Sequence, residues 1–272
     1  MNVPSEQSAG ANSSAARRLL PRIKIYGERN TGTNYLSELL RLNFQIRELR
    51  GFVPWPVMGL QLLLPGKEAI RDAWFSATFG RNLGWKHMKV ESPDVLKNYA
   101  IVSQRLSFLT LTKNPYAWLL SMHRRPYHQS YRQQPDFEEF LQLPWRTTGR
   151  DNTSRVVENP IQLWNLKNRS YLELRNRLPV LNVRYEDLLD DPIRMLHQIA
   201  DAFALPVPAS GFRNFEQSTK DSDRDAAWYR DYYLNERWRC KLSATAIQII
   251  NEQLDHDLMT SFHYNLLATD QT

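Results

Sequence analysis

The sequence predicts an α/β domain, a central parallel sheet flanked by helices, and three features predict it. Runs with strand composition occur at 23–26, 106–112 and 180–185; each is closed by a glycine, proline or acidic turn; and each turn opens a segment whose apolar residues recur at helical spacing. Strand, turn and helix repeated along one chain imply parallel strands, because these need a crossover that a helix usually provides.

The chain can bury a substantial core, having 272 residues of which 42% are hydrophobic, eight of them Trp. We expect one globular domain over 19–272, preceded by a disordered tail at 1–18 that is rich in Ser, Ala and Asn and lacks the apolar centre of a secretory signal. The longest apolar stretch, Val57 to Leu64, is too short to cross a bilayer, so a soluble, cytoplasmic protein with no membrane span is expected. Cys240 is the only cysteine, which excludes an intramolecular disulfide and a Cys-rich zinc site. The formal charge of +6 is dispersed along the chain; it suits an anionic ligand and does not demand nucleic acid.

The first unit organises the rest. Ile23-Lys24-Ile25-Tyr26 alternates as a strand, Gly27 and Gly32 stand five apart, and Leu36, Leu39 and Leu40 follow at helical spacing. The amides of such a turn and of the first helical residues lack intrahelical partners and lie at the positive end of the helix dipole, so phosphate-like groups settle there. The glycine spacing is that of a P-loop, but Thr33 stands where the Lys would be and Asn34 where the magnesium-holding Ser or Thr would be. The loop is therefore poorly equipped for nucleoside triphosphate hydrolysis, and an ordinary strand-to-helix turn is the rival reading.

Gly51 to Pro65 mixes Pro, Trp, Gly and Leu without a clean period and reads as an irregular apolar cover. Leu83 to Val90 reads as a short strand carrying Lys86 and His87 side by side; a lone His is as compatible with a structural role as with proton transfer. After the strand Leu106–Thr112, Lys113-Asn114-Pro115 opens a helix with Trp118, Leu119 and Met122 on its apolar face. Lys113 at the strand end and Ser121 two turns into the helix can address one anionic group, or be a solvated Lys and an inert Ser.

Between His123 and Trp145, cations alternate with aromatics, including Arg124, Arg125, Tyr127, His128 and Arg132, a pattern that can hold an acidic or sugar-like partner or be a polar surface. Arg146 to Ser154 reads as a flexible connection, and 159–177 as a helix with Ile161, Trp164 and Tyr171 inward. After the strand 180–185, Glu186-Asp187 reads as a pair of helix caps or as an acid–base pair. Asp221 to Arg239, dense in charge and aromatics, reads as a loop able to close over a nucleotide, and a final amphipathic helix carries Leu242, Ala246, Ile250 and Leu254. Ligands of open parallel sheets bind beyond the carboxyl ends of the strands, which gathers Arg29 to Tyr35, Lys86, His87, Lys113 and Ser121 at one edge.

Taken together these motifs resemble the sulfotransferase family, over about Ile23 to Tyr264. Gly27-Glu28-Arg29-Asn30-Thr31-Gly32-Thr33-Asn34-Tyr35 resembles the family's 5′-phosphosulfate loop, Lys113 through Ser121 its 3′-phosphate element, Tyr185 through Pro192 the segment whose Tyr lies near the adenine, and Lys86-His87 the segment bearing the catalytic base. The resemblance implies a P-loop-like fold, 3′-phosphoadenosine 5′-phosphosulfate (PAPS) as donor and no metal. It also implies a small-molecule or carbohydrate acceptor with a hydroxyl or amine, and no nucleic acid. It assigns the base to His87, charge stabilisation to Lys86 and Arg29, and donor binding to Arg29, Asn30, Thr31, Gly32, Thr33, Asn34, Tyr35, Lys113, Ser121 and Tyr185. Two positions depart from the family pattern: Asn30 replaces a Lys, leaving Arg29 to supply that cation, and Lys113 replaces an Arg, giving a point charge in place of a bidentate fork. An ATP- and magnesium-dependent kinase-like enzyme and a non-catalytic nucleic-acid-binding protein are the alternatives; the sequence does not indicate oligomeric state.

Overall fold

A computed structural model describes residues 20–63, 67–103, 105–129, 131, 133–215 and 224–269. The expected tail at 1–18, Arg132 and the start of the 221–239 segment lie outside the described residues.

The chain enters the sheet through β1 (Arg22–Gly27), turns into α1 (Thr33–Asn43) and returns as the two-residue β2 (Arg47–Glu48). Two helices follow, α2 (Trp55–Leu63) and α3 (Lys67–Asn82), then the short α4 (Pro93–Lys97) and β3 (Leu106–Thr112). Beyond β3 come α5 (Pro115–Arg124), α6 (Phe137–Gln142), the hairpin β4 (Trp145–Arg146) and β5 (Val156–Val157), and α7 (Pro160–Glu173). The last strand, β6 (Val180–Arg184), leads to α8 (Tyr185–Asp190), α9 (Pro192–Phe203), α10 (Ala226–Leu234), α11 (Ala244–Gln253) and α12 (His256–Ser261).

The main sheet is parallel, in the order β2-β1-β3-β6, with Ile25 opposite Leu109 and Leu109 opposite Leu181. Alternation along the strands supplies two buried faces. On one, Ile23, Ile25, Leu109, Leu111 and Val183 pack with Leu36, Leu39 and Leu40 of α1 and Leu196 and Ile199 of α9. On the other, Tyr26 and Phe108 stack at 6.3 Å and pack with Phe75 of α3 and Tyr171 of α7. A third core, built on Trp118, Trp145, Trp164 and Trp238, joins α5, α6, α7 and the C-terminal helices. The expected parallel sheet with helices on both faces is what the chain forms.

The strand order has a consequence for function. From β1 the chain moves outward to β2, then crosses back to β3 and on to β6, so β1 and β3 are adjacent strands whose connections leave in opposite directions. A crevice opens at the carboxyl ends of such a pair.

Four expectations about individual segments are corrected. Leu83–Val90 is a turn, not a strand: Lys24 Nζ donates to the carbonyls of Asn82 (2.7 Å) and Gly84 (2.5 Å), Tyr26 Oη to that of Leu83 (2.7 Å), and Leu83 and Gly84 take positive φ. Left-handed backbone at Leu83 and Gly84 breaks the extended conformation that a ladder needs, and the side-chain bonds hold the turn in place. Part of the supposed irregular cover is α2, whose Pro56 fits a first turn. Arg146–Ser154 is not a loose connection, since it starts in the β4–β5 hairpin and buries Arg150 and Asp151. In the segment expected to be a closing loop, the residues from Ala226 to Leu234 form α10, capped by Asp225, whose carboxylate accepts the Trp228 amide.

Candidate active site

A cleft of about 520 Å³ lies in that crevice, within the usual size range of small-molecule sites. Gly27 ends β1 and Gly32 precedes α1 with φ +87°; a Cβ there would meet the Tyr185 ring at 2.6 Å. The first turn of α1 has no acidic residue, and Gly32 offers no side-chain cap, so the amides at Thr33, Asn34 and Tyr35 face the cleft with the positive end of the dipole. Thr31 is turned inward instead: its amide and hydroxyl both donate to the Glu28 carbonyl, at 3.3 and 2.6 Å, and it does not line the cleft.

Asn30 adopts φ +64° and ties the loop to the second unit. Its carbonyl accepts from Lys113 Nζ at 3.4 Å, its Nδ2 donates to the Ser121 carbonyl at 3.3 Å, and its Oδ1 accepts from Tyr127 Oη at 2.6 Å. Arg29 points its guanidinium between two rings, 4.7 Å from the Trp85 centroid and 4.5 Å from that of Tyr127, while Nη1 donates to His128 Nδ1 at 3.2 Å. The Arg29 carbonyl is pinned by Trp118 Nε1 at 2.8 Å. A cation held in an aromatic sandwich keeps its charge and loses its freedom.

Lys113 and Ser121 meet as their spacing suggests, Nζ lying 3.4 Å from Oγ. The ammonium sits over the Tyr233 ring at 3.7 Å and the Tyr185 ring at 5.0 Å. Burial lowers the pKa of Lys113, and the nearby Glu186 carboxylate opposes that shift. Glu186 and Asp187 stand in the first turn of α8, as expected of carboxylates at a helix start; Glu186 also accepts the Asn114 amide (2.9 Å) and the Tyr264 hydroxyl (2.7 Å), and Asp187 clasps Arg184 through two bonds.

Lys86 and His87 reach the same cleft from the 83–90 turn. Lys86 Nζ donates to Asn34 Oδ1 at 2.5 Å, which places an ammonium at the start of α1. His87 Nδ1 lies 2.5 Å from the Gly27 carbonyl. A carbonyl can only accept, so Nδ1 carries the proton and Nε2 keeps a lone pair. Burial, then the charge of Lys86, holds the imidazole pKa well below its ordinary value, so His87 is neutral at pH 7.

Of the sequence-expected residues, the structure brings Arg29, Asn30, Gly32, Thr33, Asn34, Tyr35, Lys86, His87, Lys113, Ser121 and Tyr185 to one cleft and leaves out Thr31. From the cation–aromatic stretch after His123 it takes Arg124, Arg125 and Tyr127, while Trp145 joins the core. From α10 it takes Tyr229, Arg230 and Tyr233. Sequence reasoning missed Trp85, Phe75, Arg71 and Arg150, which line the cleft together with Phe52, Val53 and Met58. The missed signal was the stretch 67–82, where Trp74, Phe75 and Phe79 mark a helix that covers the sheet. Among the described residues, the cleft is lined by eight cationic side chains and no carboxylate. Among the same residues, no group of three His, Cys, Asp or Glu is placed to hold a metal ion, and no helix is long and apolar enough to cross a membrane.

No family model matches the sequence, and no curated protein matches it. Solved structures do. The sulfotransferase domain of an olefin synthase from Synechococcus PCC 7002 is similar over 91% of this chain and 95% of its own, at 16% identity and a TM-score of 0.43. A sulfotransferase from Alicyclobacillus acidocaldarius is similar over 90% and 97%, at 13% identity and a TM-score of 0.41. A mouse sulfotransferase solved in complex with PAP is similar over 95% and 86%, at 16% identity and a TM-score of 0.40.

Proposed function

We propose that this cleft is the active site of a PAPS-dependent sulfotransferase, moving the sulfuryl group to a hydroxyl or amine of a small molecule or glycan. One observation carries the reading: an anion cradle, a Lys–Ser pair and a Lys–His pair, from three separate segments, line a single cleft whose described residues include eight cations and no carboxylate. The matching residues resemble those of the sulfotransferase family in order and spacing.

The amides of Thr33, Asn34 and Tyr35, with Gly32 leaving space beside Tyr185, suit the 5′-phosphosulfate. Lys113 and Ser121 suit the 3′-phosphate and so discriminate against ATP. Arg29 and Lys86 supply the positive charge that Asn30 cannot, and stabilise charge growing on the leaving phosphate oxygen. His87 accepts the acceptor's proton at Nε2, a role worth about 10²–10⁴ in rate, while Gly27 holds the ring in the required tautomer. As the acceptor's oxygen or nitrogen bonds to sulfur, the bond from sulfur to the bridging oxygen breaks and 3′,5′-bisphosphoadenosine leaves.

Thermal-shift titration tests the donor class. Stabilisation by 3′,5′-bisphosphoadenosine without magnesium is expected; a response only to ATP with magnesium would favour the kinase-like alternative. A steeply salt-dependent affinity for oligonucleotides, without donor turnover, would favour a nucleic-acid-binding protein.

A further inference from the structure

Lys167 lies on α7 between the core residues Trp164 and Tyr171, with a side chain only 1% exposed, and does not line the cleft. Its ammonium has three donors and three oxygens around it, two of them hydrogen-bonded and the third an ion-pair partner. Nζ donates to the His87 carbonyl at 2.6 Å, pairs with Asp151 Oδ1 at 2.7 Å and forms an ion pair with Glu28. Each partner is held in turn. Glu28 Oε1 accepts the Arg29 amide at 2.7 Å, Asp151 Oδ2 accepts the amide and hydroxyl of Thr148 at 2.8 Å each, and the His87 ring is on Gly27. A closed circuit results, running from Gly27 and Glu28 through Lys167 to His87 and back to Gly27.

Buried ion pairs are weak contributors to stability, and well-packed apolar residues often replace them without loss. What this one does is join, through a single buried cation, two pieces of chain: the loop that opens the cradle and the turn that carries the imidazole. We propose that Lys167 is the positioning residue of the site, fixing His87 relative to the cradle so that Nε2 meets the acceptor in line with the sulfuryl group. The inference rests on the sulfotransferase reading and on His87 as its base.

A loss of position by about 1 Å can cost on the order of 100-fold in turnover. In the full-length protein, Lys167→Met is therefore expected to lower kcat by about 10- to 100-fold while affinity for 3′,5′-bisphosphoadenosine stays within about threefold. His87 is faced by Lys86, Arg29 and Lys167, with Glu28 and Asp151 behind Lys167. Removing a cation that lies near both His87 and two carboxylates should raise the pH at which the His87 ring titrates, read by NMR of histidine-labelled protein and assigned with His87→Gln. If Lys167→Met does not fold, Glu28→Gln keeps an acceptor for the Arg29 amide, breaks the circuit at one charge, and should show the same split between kcat and bisphosphate affinity. Unchanged turnover and titration, or turnover and affinity falling in parallel with the His87 titration unmoved, overturns the positioning role. Failure of wild-type protein to transfer a sulfuryl group would sink the enzyme reading instead, and the NMR titration would still decide whether Lys167 acts on His87.

Discussion

Gly32→Ala isolates the backbone requirement of the cradle. An Ala at φ +87° must accept left-handed backbone, at about 1–2 kcal/mol. Its Cβ would also stand 2.6 Å from both Cδ2 and Cε2 of Tyr185, a residue only 6% exposed and packed edge-on to Tyr233 at 5.2 Å. Displacing that ring from its rotamer adds about 0.5–1.5 kcal/mol. The sum is roughly 1.5–3.5 kcal/mol of stability, to be measured by urea unfolding at constant m-value. In a Tyr185→Ala background only the backbone part persists, so the same substitution should cost about 1–2 kcal/mol there. Two results would refute the close approach as the reason for glycine. One is a cost below about 0.5 kcal/mol in the wild type, the size of an ordinary surface change. The other is an undiminished cost in the Tyr185→Ala background.

Other outcomes follow from the same geometry. His87→Ala should abolish transfer while bisphosphate binding survives; near-normal turnover in the mutant would remove His87 from the mechanism. Because the folded-state pKa of His87 lies below the ordinary value, the unfolded chain binds more protons between the two, so this residue's contribution to stability falls as the pH drops below about 6.5. Unfolding wild type and His87→Gln across that range should show the difference narrowing as the pH falls. Lys113→Ala should weaken binding of 3′-phosphorylated nucleotides far more than of those lacking that phosphate, and equal losses measured by calorimetry would contradict the assignment. Tyr127→Phe removes only the hydroxyl bond to Asn30, whereas Tyr127→Ala also strips one ring from Arg29, a contact worth about 0.5–2 kcal/mol, or a factor of about 2–30 in donor affinity.

Much of this was readable in the chain because the central strands are buried on both faces. Ile23 to Tyr26 and Leu106 to Thr112 have neighbours on each side, and the density of apolar, aromatic and β-branched residues in both runs records that. Arg47–Glu48 is a two-residue edge strand with no such demand, and nothing in its composition marks it. Lys86 and His87 were visible as a pair, but the alternation around them was mistaken for a strand, because the carbonyls that Lys24 and Tyr26 capture lie some 60 residues away in sequence. Lys167 was hidden for the same reason. A lysine among Trp164 and Tyr171 is a cation on an apolar stripe, and its partners Glu28 and Asp151 come from elements that only the fold brings together.

The adjacency of β1 and β3 sets when the site can exist. Arg22 pairs with Leu106, 84 residues further on, and the Lys113–Ser121 pair comes only after that strand. No contiguous fragment ending before β3 contains both the cradle and the Lys113–Ser121 pair, and the long loop between the two strands must close before the cradle gains its second wall, a non-local step that slows folding. On the sulfotransferase reading proposed above, nucleotide binding is thus expected late on the folding path. Under that proposal it should discriminate sharply between native chains and nicked or partly folded ones, and titration with 3′,5′-bisphosphoadenosine would count the molecules that have completed the crossing between β1 and β3.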